Sequence, residues 1–185
     1  MGKKAFIIHG WGGTAGSGWK GWLQKKLEAN GFKTFSPQMP DAENPKMEKW
    51  LGVLSELAGK PDTNTYFVGH SLGTVAVLRY IERLKKGERV GGVVLVAGFT
   101  DDLGMNELKD FFPNPLDFGK IRSHCGKFAA IHSTNDRYVA VRYGKELEQK
   151  LGAKLIVLKN MGHFSHSEGI NELPAALGAL LDIAK

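Results

Sequence analysis

The sequence predicts an α/β fold: one domain on a six-stranded parallel sheet, with helices on both faces and no large cap. Three observations carry that expectation. Short β-branched or aromatic runs bounded by Gly, Pro or polar residues recur at 5–8, 33–35, 66–68, 93–96, 128–131 and 155–158. Each is apolar at consecutive positions, as strands buried on both faces are. Between the runs lie helical patterns, with apolar residues three and four apart: Trp19, Trp22, Leu23 and Leu27; Val75, Leu78 and Ile81; Leu147 and Leu151; Leu173, Leu177, Leu180 and Leu181. Finally, 185 residues suit one sizeable core and are few for two domains, so 1–185 is read as a single domain. Alternating strand and helix implies right-handed crossovers, here with the strands in the order 2-1-3-4-5-6.

Composition excludes several other classes. The apolar fraction of 42% and charged fraction of 24% are those of a folded globular chain, not a disordered one. No apolar run approaches the roughly 18 residues that span a bilayer. Met1-Gly2-Lys3-Lys4 runs straight into a strand without a cleavage pattern, and Phe6 stands where myristoylation wants Ser or Thr. The sole cysteine, Cys125, excludes an intrachain disulfide, fits a reducing compartment and reads as a packed thiol; a cytoplasmic location is expected. The net charge of +6 is spread along the chain. Its densest cluster, Lys85-Lys86-Gly87-Glu88-Arg89, has no aromatic-and-basic strand pattern beside it, so it is read as a solvated surface and no nucleic-acid partner is expected.

In parallel sheets ligands bind outside the carboxyl ends of the strands. The loops to search therefore begin at His9, Ser36, Gly69, Ala97, His132 and Lys159. One connection, 98–126, is long enough to act as a crossover helix and a lid or pocket wall together. Its Phe99, Phe111, Phe112 and Phe118 are candidates for an apolar substrate pocket, with core packing the competing role.

Gly69-His70-Ser71-Leu72-Gly73 is a Gly-x-Ser-x-Gly motif, which a chain with 24 glycines supplies easily by chance. Placement makes it informative. A strand precedes it and a helix opens directly after it, the tight turn that holds a serine exposed above a sheet. Ser71 is thus the expected nucleophile. A serine hydroxyl needs a base to take its proton and an acid to orient that base. His163, after the last strand, is the best-placed base, with His166 its competitor. Asp136, after the fifth strand, is the expected acid, with Asp101 and Asp102 as alternatives; turn formation or helix capping is its competing role. The oxyanion of acyl transfer needs backbone N–H donors, expected from Leu72 after the nucleophile and Trp11 in His9-Gly10-Trp11-Gly12-Gly13, where Gly10 lets the backbone approach substrate.

The same loop matches a dinucleotide fingerprint, Gly10-x-Gly12-x-x-Ala15, but Phe35-Ser36-Pro37 stands where a ribose-binding acid would be needed. Trp19, Trp22 and Trp50 are read as core. His9, His70 and His132 are read as donors behind the site, no histidine or cysteine spacing argues for zinc, and no cofactor is implied.

Gly18-Trp19-Lys20-Gly21-Trp22, Met39-Pro40-Asp41, Gly69-His70-Ser71-Leu72-Gly73, Val94-Leu95-Val96-Ala97, Asp102-Leu103-Gly104, Ser133-Thr134-Asn135-Asp136 and Gly162-His163-Phe164 together resemble, nearly end to end, the retinoblastoma-binding protein 9 family of small serine hydrolases. The resemblance implies a minimal α/β-hydrolase with Ser71, Asp136 and His163 as nucleophile, acid and base, without fixing the substrate; a carboxylic ester of modest size, or a thioester or amide, is expected because an uncapped domain of this length has little surface with which to enclose a large molecule. The Leu-x-Cys-x-Glu motif associated with retinoblastoma-protein binding is absent, since Ser123 and Lys127 flank Cys125, so that partner is not expected. The competing classes are a protein-interaction module on a hydrolase scaffold and, behind it, a dinucleotide-binding protein.

Overall fold

The computed structural model describes residues 2–185. Its parallel strands are β1 (Lys4–Ile8), β2 (Lys33–Phe35), β3 (Thr65–His70), β4 (Gly92–Val96), β5 (Phe128–Ser133) and β6 (Lys154–Leu158). They form one sheet in the order β2-β1-β3-β4-β5-β6. Helices α1 (Trp19–Ala29) and α6 (Pro174–Ile183) cover one face. On the other lie α2 (Met47–Ala58), α3 (Leu72–Glu82), α4 (Phe118–His124) and α5 (Val141–Leu151).

The strands at the centre follow their pattern. β3, β4 and β5 are buried at every residue, and their runs of Val, Ile, Leu and Ala meet helices above and below. The edge strands depart from it. β2 and β6 keep only one neighbour each, and Val157 is 43% exposed, so continuous apolarity there does not mean burial on both faces. β3 and β5 also run two residues beyond their apolar cores, to His70 and Ser133, which brings polar side chains to the carboxyl edge.

The 98–126 connection makes the expected crossover helix and a pocket wall. A loop and a 3₁₀ turn at Asn106–Phe111 come first, then α4 completes the crossover against α3 and α5. Arg79, buried on α3, fastens the segment: its guanidinium donates to the carbonyls of Phe111 and Asn114 and pairs with Glu82 at 2.7 Å.

The turn from β3 into α3 is the tightest junction in the fold. Ser71 sits in it with φ 52° and ψ −124°, a conformation that costs an ordinary residue about 1–3 kcal/mol. A side chain on Gly69 would lie 2.6 Å from the Thr74 Cα, and one on Gly73 would lie 2.5 Å from the His9 carbonyl oxygen. Both positions must be glycine for α3 to start this close to β1. Gly73→Ala is therefore expected to destabilise by about 1–3 kcal/mol, lowering the melting temperature by about 2–4 °C per kcal/mol; circular dichroism melts of the two proteins measure it.

Candidate active site

Ser71, expected as nucleophile, lies at the carboxyl edge between β1 and β4, its N–H donating to the Val96 carbonyl at 2.9 Å. Gly10 packs on it so closely that a side chain there would come within 2.8 Å of the Ser71 Cβ. The Gly10–Gly13 loop is held by His9. The Met39 N–H donates to His9 Nε2 at 2.9 Å, so the ring proton is on Nδ1, which donates to the Gly10 carbonyl at 2.8 Å. Among the described residues no acceptor meets the N–H of Trp11 or Leu72, the two donors expected for an oxyanion.

His163 and Asp136 are brought together. His163 Nδ1–H donates to Asp136 Oδ2 at 2.8 Å, and the Asp136 carboxylate is fully buried. Its other oxygen accepts the N–H groups of Tyr138 (2.9 Å) and Val139 (3.0 Å), so Asp136 forms its turn and orients the imidazole at once. With the proton on Nδ1, Nε2 of His163 keeps a free lone pair, and His163 lines the same pocket as Ser71. The competitors are engaged elsewhere. His166 Nδ1 pairs with Asn171 at 2.6 Å; Asp101 accepts from the Leu103 N–H and the Tyr143 hydroxyl, and Asp102 from the Gly104 N–H.

The loop carrying His163 is braced from below by Trp19 and His70, both noted in the sequence, and by Glu168, which sequence patterns did not single out. Glu168 Oε2 accepts the N–H of His163 at 2.8 Å and both the N–H and the hydroxyl of Ser165. Burial raises the Glu168 carboxyl, but these bonds outweigh it and leave it below its ordinary range. The Ser165-to-Glu168 capping-box spacing was the available signal. Trp19 donates its indole N–H to the Phe164 carbonyl at 2.9 Å, and His70 donates Nε2–H to the His163 carbonyl at 2.8 Å. Trp19 and Trp50 are core residues as expected, while Trp22 is half-buried.

Two pockets open on either side of Ser71 and His163, with Trp11 also common to both. The apolar one, of about 270 Å³, is walled by Phe99, Leu103, Met105, Leu108, Tyr138 and Val139. Only Phe99 of the expected phenylalanines reaches it. Phe111 is wholly buried with its ring edge-on to Trp50, because Arg79 draws its backbone inward; Phe112 stands behind Phe99 at 6.1 Å; Phe118 lies on the surface under Lys150. Leu103, Met105 and Leu108 were hidden in an irregular segment whose spacing follows neither period.

The dinucleotide reading loses its geometry. That fingerprint needs its glycines to open a helix, whereas α1 begins at Trp19, beyond Ala15, and the Gly12 and Gly13 N–H groups bond to the carbonyls of Ala42 and Gly10. Cys125 is buried, and burial pushes its thiol up to about 11, far from a nucleophile's range. No helix among the described residues is long and apolar enough to cross a membrane.

A serine on a tight strand-to-helix turn, with a carboxylate-bound histidine across the same cleft, defines this fold as an α/β-hydrolase. The chain belongs to the serine hydrolase family, whose model matches residues 5–182. It is 34% identical to the rat (Rattus norvegicus) serine hydrolase RBBP9 over 170 residues, 89% of each chain. To YdeN of Bacillus subtilis strain 168 it is 35% identical over 181 residues, 97% of this chain and 95% of that one. The crystal structure of the B. subtilis ydeN product superposes with a TM-score of 0.93 over 98% of both chains. Est1E of Butyrivibrio proteoclasticus shares the fold at 16% identity, with a TM-score of 0.73 over 98% of this chain and 88% of its own.

Phe111→Ala is expected to cost about 3–5 kcal/mol of stability, as a core truncation, measured by urea unfolding. Acid should weaken the fold through His9, His70 and His132, whose pKa values burial holds below the usual 6.5. As the pH falls through 6.5 the unfolded chain gains protons that the folded chain refuses, so stability is full above that pH and declines below it. The slope is at most about 1.4 kcal/mol per pH unit per histidine, and urea midpoints between pH 7.5 and pH 5.5, taken as about one unit either side of the histidine range, measure it.

Proposed function

We propose that the chain hydrolyses small carboxylic esters through an acyl-enzyme formed on Ser71. The observation that carries this reading is the Asp136–His163 bond of 2.8 Å, which leaves the imidazole's second nitrogen bare in a pocket shared with Ser71.

Ser71 Oγ attacks the ester carbonyl carbon while its proton passes to His163 Nε2. The carbonyl electron pair moves onto oxygen, where the N–H groups of Trp11 and Leu72 receive it. When the tetrahedral centre collapses, the alcohol leaves with the proton that His163 returns. Water then attacks the acyl-enzyme by the same route and releases the acid and Ser71. Throughout, Asp136 holds the imidazole in one tautomer and stabilises the imidazolium without taking its proton. Gly10 lets the loop lie against the reacting carbonyl, and Phe99 with Leu103, Met105, Leu108 and Val139 takes up the apolar half of the substrate.

The modest pocket volume favours small esters over large ones. Thioesters and amides can be cleaved by the same machinery. A single cysteine, buried as a thiol, supports a reducing, cytoplasmic setting.

A fluorophosphonate probe should label the wild-type protein and fail to label Ser71→Ala. Turnover of para-nitrophenyl esters should fall about a thousandfold or more in Ser71→Ala and about 10⁴-fold in Asp136→Asn, which turns the imidazole to the wrong tautomer. A folded wild-type protein that neither labels nor turns over short-chain esters would instead be an interaction module on a hydrolase scaffold.

A further inference from the structure

The second pocket opening on Ser71 and His163 differs in character from the first. Its volume is about 240 Å³, and its walls are Gly10 to Thr14, Ser17, Lys20, His70 and Ser165 to Ser167. No carboxylate lines it.

Lys20 is the residue that needs explaining. It occupies the second position of α1, three before Leu23 and seven before Leu27, and so falls on the helix's buried stripe. The residue is 5% exposed, yet among the described residues no carboxylate lies within ion-pair reach of its ammonium. Its nearest compensation is the ring of Trp19, 5.6 Å from Nζ. Among the described residues the polar side-chain atoms enclosed without a partner are those of Ser36, Tyr80 and His132 and not Lys20 Nζ, so the lysine stem is buried while its ammonium reaches the open space of the pocket, where an anionic group can pair with it. Thr14, which is exposed, and Ser17, which is half-buried, line the same space with hydroxyls that have no protein partner among the described residues. Burial lowers the ammonium to about 8, which leaves it mostly protonated at neutral pH.

We propose that this pocket is an anion subsite in which Lys20, Thr14 and Ser17 hold a carboxylate group of the substrate, so that the ester cleaved at Ser71 has one apolar half and one anionic half. The proposal rests on the hydrolase reading above. It makes Lys20 a substrate-binding residue that selects among esters and takes no part in the proton transfers.

Four esters test it in two matched pairs. In the first, the alcohol half carries the charge: the butyrate ester of para-hydroxybenzoate against that of para-hydroxybenzamide. In the second, the acyl half carries it: the para-nitrophenyl monoester of adipic acid against its ω-amide. Wild type should prefer the carboxylate member of at least one pair in kcat/KM, and the pair that shows the preference identifies the half that enters the pocket. Lys20→Met should reduce that preference about tenfold, the scale of one charge-assisted hydrogen bond, and Lys20→Arg should retain most of it. Because Met removes an uncompensated charge without leaving a void, the melting temperature of Lys20→Met should match or exceed that of wild type.

Equal rates within both pairs, or a preference that survives Lys20→Met, would overturn the subsite. So would a Lys20→Met protein that melts several degrees lower and loses both members of a pair equally, since Lys20 would then be structural. Turnover of the neutral members by wild type keeps the hydrolase reading intact in each of those cases. Labelling by fluorophosphonate without turnover of any carboxylate ester also overturns the subsite, and absence of both labelling and turnover overturns the two readings together.

Discussion

Everything near the site depends on how closely the start of α3 can approach the end of β1. Gly73 lies against the carbonyls of Ile8 and His9, and Gly69 lies under Thr74, leaving no room for a side chain on either. That contact forces the backbone at Ser71 into a positive φ and lifts its hydroxyl above the sheet edge. It also sets Gly10 against Ser71, so the loop after β1 packs directly on the turn that holds the serine. The strain of one residue is small beside the burial of β1, β3 and β4 that secures it on either side.

Around that junction most polar groups are fixed by partners, although His132 Nδ1 meets none among the described residues, and the buried histidines are held mostly uncharged. His9 holds the first loop, His70 and Trp19 hold the carbonyls of the His163 loop, and His132 donates to the Gly98 carbonyl at 2.9 Å. Burial keeps His9, His70 and His132 from protonating easily. Positive charge that would compete with an imidazolium at His163 is thereby held down, apart from Lys20 on the far wall of the cleft. Glu168 completes the frame by tying the His163 and Ser165 N–H groups together, which fixes where the ring pivots.

The cleft is divided in kind. One side is built by the 98–126 connection and the turn after Asp136, and it is apolar; the other is built by the loop before α1 and the loop before α6, and it is polar with one cation. Without a large cap, substrate selection under the proposed function falls to these loops. The asymmetry gives the two sides of Ser71 different surfaces, which is what the proposed ester with one apolar and one anionic half requires.

The sequence by itself determined the sheet order and the parallel crossovers, and it pointed to Ser71, Asp136 and His163 as residues to be found at one edge of the sheet. Those features are local: a run of apolar residues, a motif between strand and helix, and chain order each survive without knowledge of distant contacts. The edge strands misled because burial on a second face depends on which neighbour is present, and a short apolar run does not record that. Phe111 and Lys20 were decided only by tertiary structure. Arg79, 32 residues away in sequence, turns Phe111 into the core, and the loops before α1 and α6 make Lys20, whose spacing to Leu23 and Leu27 puts it on the buried stripe of α1, a wall of the cleft. What packs against a side chain is a long-range property, whereas what its backbone prefers is a short-range one.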